Sequence, residues 1–191
     1  MWRGQRIEAE AVLHYGPPMD LKRNIFLIGP RACGKTSVGR RLAEGLGREF
    51  VDTDHSLVAS VGMEIAEYVE RNGWDAFRDR EAETLAREAA PGGRVIGCGG
   101  GIVLREENRA VLKTGVTLYL KAGPDELARR LEADPNEAQR PSLTGRSIAD
   151  EVREVLAERA PLYEGCADAV VAGTSVDAVV QAALEELETI V

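Results

Sequence analysis

Residues 29–36 read Gly-Pro-Arg-Ala-Cys-Gly-Lys-Thr, which fits the spacing G-x-x-x-x-G-K-[ST] and restricts the fold more than any other part of the chain. A loop wrapped around a polyphosphate must turn its backbone N–H groups inward. That requires positive φ or close approach, and glycine at positions 29 and 34 permits both. The pattern has this meaning only between a strand and a helix. Residues 24–28, Asn-Ile-Phe-Leu-Ile, form a short apolar run with the β-branched character of a strand buried on both faces. In residues 37–46, Val38, Leu42, Ala43 and Leu46 recur at helical spacing. Such a helix aims its unpaired N–H groups and positive dipole end at the anion. Lys35 would add a point charge at the β- and γ-phosphates, and the Thr36 hydroxyl a coordination position on Mg²⁺. The plain alternative is a glycine-rich turn with an accidental lysine, and the flanking order speaks against it.

Further apolar runs at 94–98, 116–120 and 167–172 have strand length, and a second strand is expected over 49–54. Helical spacing separates them: two helices over 63–90 divided at Asn72-Gly73, then helices over about 125–132, 148–159 and 176–187. Strands alternating with helices imply a parallel sheet covered on both faces, and 191 residues fit one such α/β domain. In residues 1–22, Arg3, Arg6, Glu8 and Glu10 interrupt any signal-like apolar core, and Gly16-Pro17-Pro18 breaks any helix. This leader is expected to be an extension with little order, ahead of a domain over 23–191.

No apolar run approaches the roughly 20 residues needed to span a bilayer, so a soluble, cytoplasmic protein without membrane contact is expected. A net charge of −8 disfavours non-specific nucleic-acid binding, so any anionic ligand must meet locally concentrated positive charge. The three cysteines, 33, 98 and 166, are odd in number and widely spaced, which suits a reducing compartment and no zinc pattern. Cys33 reads as a small residue filling the phosphate loop, with oxidation sensitivity as the alternative.

Asp52 and Asp54, two apart on an extended segment, would project together from a strand's carboxyl end, where ligands sit in open α/β sheets. There they could hold metal-bound water and orient an attacking hydroxyl; a helix N-cap at Thr53 or Asp54 is the alternative. Arg78 and Glu81 stand at i, i+3, either a held guanidinium or a surface pair. Gly99-Gly100-Gly101 follows a strand and implies either close approach to a ligand or a flexible loop. Residues 133–146 are polar and interrupted by Pro135 and Pro141, a length characteristic of lids.

This ordered set, namely the phosphate loop, Asp52-Thr53-Asp54, Phe77-Arg78 with Glu81, the glycine triplet, Arg140-Pro141 and Arg159-Ala160-Pro161-Leu162-Tyr163, resembles the shikimate kinase family from residue 24 onward. The loop and residues 136–145 look closest to its type II form. The resemblance implies a three-layer P-loop kinase fold similar to nucleoside monophosphate kinases. Its features would be a five-stranded parallel sheet of order 2-3-1-4-5, a mobile lid over about 133–147 and a small substrate-binding region over about 54–90. It implies a monomer that phosphorylates the 3-hydroxyl of shikimate with MgATP, in the aromatic amino-acid pathway.

By position, Arg78 and Arg159 would bind the shikimate carboxylate with Glu81 holding Arg78, and Gly99, Gly100 and Gly101 would line the substrate side. Asp54 would bind ring hydroxyls and orient or deprotonate the 3-hydroxyl; Asp52 would contact the Mg²⁺ shell alongside Thr36. Gly29, Arg31, Ala32, Cys33, Gly34, Lys35, Thr36 and Ser37 would hold the nucleotide, Arg130 of the Arg129-Arg130 pair would pack on adenine, and Lys35 and Arg140 would steady the transferring phosphoryl group. The chain departs from the family pattern at Gly173-Thr174-Ser175, where small residues replace one such as proline beside the adenine. Gluconate kinase, with a similar loop and lid, is the nearest rival; a nucleotide-dependent binding module without turnover is the rival of another class.

Overall fold

The structure is a computed structural model that describes residues 22–133 and 147–190. Strands β1 (Ile25–Ile28), β2 (Phe50–Asp52), β3 (Val95–Gly97), β4 (Val116–Leu120) and β5 (Ala169–Val171) pair in parallel, in the expected order β2-β3-β1-β4-β5. Leu27 lies opposite Gly97 on one side and Leu118 on the other, which brings the carboxyl ends of β1, β3 and β4 level. Helices α1 (Lys35–Leu46), α2 (Thr53–Val61), α3 (Ile65–Ala89), α4 (Glu106–Leu112), α5 (Pro124–Ala133), α6 (Ile148–Cys166) and α7 (Val176–Ile190) connect and cover the strands.

Every residue of β1 is buried, as a central strand covered on both faces requires. Its side chains alternate between two apolar layers. Ile25 and Leu27 pack with Val38 and Leu42 of α1 and Leu184 and Leu187 of α7, whereas Phe26 and Ile28 pack with Leu85 of α3, Leu112 of α4 and Tyr163 of α6. A separate cluster of Leu57, Ile65 and Phe77 joins α2 to α3, within the region expected to take the acceptor.

The division expected at 72–73 is a kink at Gly73 (φ 83°, ψ 167°), so α3 is two helical segments in one run. The strand expected over 49–54 stops at Asp52, because α2 starts at Thr53. The helix expected to end at 159 continues through Pro161 to Cys166. Proline removes one backbone donor and disfavours a helix interior, but Tyr163 beyond it is buried in the core, and this tertiary packing outweighs the local preference. Sequence reading also missed the 3₁₀ turn Ile102–Leu104 and α4; Glu106 and Glu107 in the first turn of α4 were the available signal. Apart from edge residues, the leader and the lid segment lie outside the described residues, as does Arg140. Among the described residues no helix is long and apolar enough to cross a membrane.

Candidate active site

The phosphate loop opens into a cavity of about 650 Å³. Arg31, Ala32, Cys33, Gly34, Lys35, Thr36 and Ser37 line one wall, and segments after β4 and β5, including Ala122, Gly173, Ser175 and Val176, line another. Gly29 and Gly34 have φ of 143° and 100°, the positive values that the loop required. Gly29 is not among the residues that line the cavity wall. A Cβ there would stand 2.7 Å from the Leu120 carbonyl oxygen, so glycine at this position lets the loop pack against β4.

Ala32 is the non-glycine residue with positive φ among the described residues, at 60°. Its carbonyl accepts from Arg130 Nη1 at 3.0 Å, and Arg130 Nη2 pairs with Glu126 at 2.5 Å. Arg130 thus braces the loop while lining the cavity, whereas Arg129 is exposed. Lys35 Nζ donates to the Gly29 and Pro30 carbonyls at 2.9 and 2.7 Å and lies 3.6 Å from Cys33 Sγ, so its ammonium is held against the loop.

Thr36 Oγ1 donates to Asp52 Oδ2 at 2.8 Å, while Asp52 Oδ1 accepts from the Asp54 and His55 N–H groups at 3.1 and 3.4 Å. A helix cap does stand here, but Asp52 supplies it, rather than Thr53 or Asp54. Asp52 and Asp54 both reach the cavity, Asp52 as the last residue of β2 and Asp54 from the first turn of α2, so strand alternation is not what pairs them. Among the described residues no three acidic, histidine or cysteine side chains converge into a metal cage. A hydroxyl and a carboxylate beside a phosphate loop instead fit Mg²⁺, which is commonly held by one or two protein oxygens together with phosphates and water.

Next to this cavity lies a pocket of about 60 Å³, lined by Arg31, Asp54, Arg78, Glu81, Gly100, Gly101 and Arg159 with Ile65, Trp74 and Phe77. Arg78 Nη1 pairs with Glu81 Oε2 at 2.6 Å, and the guanidinium lies 5.4 and 5.1 Å from the Trp74 and Phe77 ring centroids. Glu81 is buried; burial pushes its carboxyl up and the Arg78 guanidinium pulls it back. This is no surface pair. Arg159 is also buried: Nη1 donates to the Gly100 carbonyl at 3.3 Å, and Nε has no hydrogen-bond partner among the described residues.

The glycine triplet is tight because of side chains. A Cβ on Gly101 would fall 2.1 Å from Arg78 Nη1, and one on Gly99 would fall 2.7 Å from Asp54 Oδ1 and 2.8 Å from Glu81 Oε1. Gly99, expected to line the substrate side, stands behind it, its N–H donating to buried Thr53 Oγ1 at 3.0 Å. Arg31, Asp54 and Gly100 line both cavities and therefore stand where the two meet. Arg31 was assigned only to the nucleotide.

The sequence model of a family described as Shikimate kinase matches residues 31–188. The chain belongs to the shikimate kinase family. It is 53% identical over 148 residues to shikimate kinase 2 of Enterobacter sp. (strain 638), covering 77% of this chain and 84% of that protein. It is 49% identical over 164 residues to the shikimate kinase of Nitratidesulfovibrio vulgaris, covering 85% and 92%. Among solved structures it resembles a shikimate kinase from Acinetobacter baumannii in complex with shikimate, with a TM-score of 0.79 and 35% identity over 88% of this chain and 93% of that one.

Of the wall residues, Gly173 and Ser175 after β5 were placed beside the adenine by the resemblance, whereas Ala122 after β4 was legible only as following the carboxyl end of a strand, where such folds bind ligands. Trp74 and Phe77 entered the sequence reading as apolar helix positions. Both follow the kink at Gly73 and line the acceptor pocket; Phe77 also stood in the motif Phe77-Arg78, whereas Trp74 had no signal in the sequence.

Proposed function

We propose that the chain transfers the γ-phosphoryl group of ATP to the 3-hydroxyl of shikimate, giving shikimate 3-phosphate and ADP. The observation that carries this reading is the junction of the two cavities. A phosphate-loop cavity opens beside a smaller pocket lined by half-buried Arg78 and buried Arg159, and Asp54 is common to both. Family membership and the likeness to a shikimate-bound structure support the choice of acceptor.

In this reading Arg78, held by Glu81, and Arg159 clamp the acceptor carboxylate; planar guanidinium forks suit that group as lysine does not. Asp54 orients the attacking hydroxyl and takes its proton. The loop N–H groups cradle the phosphates, while Arg130 braces the loop where adenine would lie. Lys35 leaves the loop carbonyls to meet the phosphates and, with Arg140 from the lid segment, steadies the charge on the transferring group. Thr36 and Asp52 would hold Mg²⁺, which when bound neutralises phosphate charge. The small-molecule ligands thus account for local positive charge on an acidic protein.

Coupled ADP release with Mg²⁺ and ATP, compared across shikimate, gluconate, quinate and no acceptor, tests the reading. Turnover with shikimate alone is expected. Turnover only with gluconate or quinate would keep the kinase chemistry and remove the roles given to Arg78, Arg159 and Asp54. Silence with all four would leave a nucleotide-dependent binding module.

A further inference from the structure

Tyr163 lies on α6, one turn beyond Arg159, with its ring buried and stacked on Tyr119 of β4 at a centroid distance of 5.1 Å and an interplanar angle of 28°. Its hydroxyl donates to the Gly100 carbonyl oxygen at 2.5 Å, and that same oxygen accepts the longer 3.3 Å bond from Arg159 Nη1. The stacking fixes the donor in place. Burial pushes the phenol up, so it remains protonated and donating across the working range of a neutral enzyme. Gly100 in turn faces both cavities, so whatever sets its peptide also sets their junction.

Two donors share one oxygen, and the shorter bond belongs to the neutral one. If the hydroxyl were absent, Gly100 would retain Arg159 as its side-chain donor among the described residues. The guanidinium would be drawn onto the backbone, away from an incoming carboxylate, because charged donors form the stronger bonds. With the hydroxyl present, Arg159 shares the Gly100 carbonyl at 3.3 Å and interacts with the Tyr163 hydroxyl as well, and among the described residues its buried Nε–H has no acceptor. We infer that Tyr163 is a positioning residue for the acceptor: its hydroxyl satisfies the Gly100 carbonyl and so keeps the Arg159 guanidinium available to the substrate carboxylate. The inference rests on the reading of Arg159 as a carboxylate ligand.

Steady-state kinetics of Tyr163→Phe test it. The KM for shikimate should rise roughly three- to tenfold, the range for losing one neutral hydrogen bond, while the KM for ATP stays within about twofold. In an Arg159→Lys background the same change should add no more than about twofold, since both substitutions act through one contact. 4-Aminophenylalanine at position 163 keeps a donor and should restore the wild-type KM; 4-methylphenylalanine fills the space without one and should reproduce Tyr163→Phe. That pair retains the comparison even if Tyr163→Phe folds poorly.

A lower Tm with both KM values unchanged would make Tyr163 a core residue only and overturn the inference, as would equal KM values for the amino and methyl analogues. If Arg159→Lys alone leaves the shikimate KM unchanged, the carboxylate reading of Arg159 fails first. If Arg159→Lys is strongly impaired and Tyr163→Phe is not, only the role of Tyr163 falls.

Discussion

The nucleotide cavity and the acceptor pocket share Arg31, Asp54 and Gly100 but are built in different ways. One wall of the nucleotide cavity is the contiguous run 31–37, and its working surface is largely backbone shaped by positive φ at Gly29, Ala32 and Gly34. The acceptor pocket draws Asp54 from α2, Arg78 and Glu81 from α3, backbone from Gly100 and Gly101, and Arg159 from α6; Glu81 and Arg159 are buried, Glu81 holds Arg78, and Arg159 bonds to the Gly100 carbonyl. A backbone site depends on local conformation and tolerates change elsewhere. A side-chain site depends on contacts among residues far apart in sequence, so small substitutions should separate the two regions kinetically.

The largest separation is expected at the residue both regions share. Asp54→Asn retains shape and removes the base, so kcat should fall by on the order of 10² or more, the usual range for positioned proton transfer. Near-normal turnover would reduce Asp54 to a contact residue.

Arg78→Lys should act on the acceptor side alone. Losing a charged hydrogen bond of about 1.5–3 kcal/mol raises the shikimate KM roughly 10- to 150-fold, with the ATP KM unchanged. An equal effect on both substrates would mean that the regions are not separable as described.

Gly101→Ala sharpens the same contrast without touching a charge. Its φ of −97° suits alanine, but the new Cβ would lie 2.1 Å from Arg78 Nη1, so the guanidinium must shift. The end of a flexible side chain moves at little cost to the fold. The shikimate KM should therefore rise about tenfold while Tm stays within roughly 2 °C of wild type. A large loss of Tm would show the triplet to be structural and not a fitted wall.

The smallest effect concerns buried Glu81 itself. A carboxyl whose pKa is raised on folding stabilises the fold below the ordinary carboxylate value and loses that contribution as pH rises through the raised value. The Tm of wild type minus that of Glu81→Gln should thus decrease as pH rises from about 4 to about 8. A difference that grows with pH would mean that Arg78 outweighs burial and holds the carboxyl down.

The phosphate loop was legible in the sequence because its chemistry is periodic and local: glycines at fixed offsets, a lysine and a threonine, a strand before and a helix after. The parallel sheet was equally legible, since short apolar runs alternating with helical spacing leave few other architectures. Arg78, Glu81 and Arg159 were placed by resemblance to a family's motifs; their own spacing distinguished nothing from a surface pair. The end of β2 was misjudged, because two aspartates around a threonine suit both a strand and a cap, and the Thr36 contact at 2.8 Å and the cap bonds of Asp52 show the outcome only in three dimensions.

By itself, then, the sequence determined most of the elements, a parallel sheet and a polyphosphate loop, because backbone preference and hydrophobic period act over a few residues; the strand order came from the resemblance to a family. Tertiary structure alone decided that Gly29 packs against β4, that α6 continues through Pro161, and that Tyr163 shares the Gly100 carbonyl with Arg159. Each of these depends on burial and on a partner tens of residues away, which no local pattern encodes.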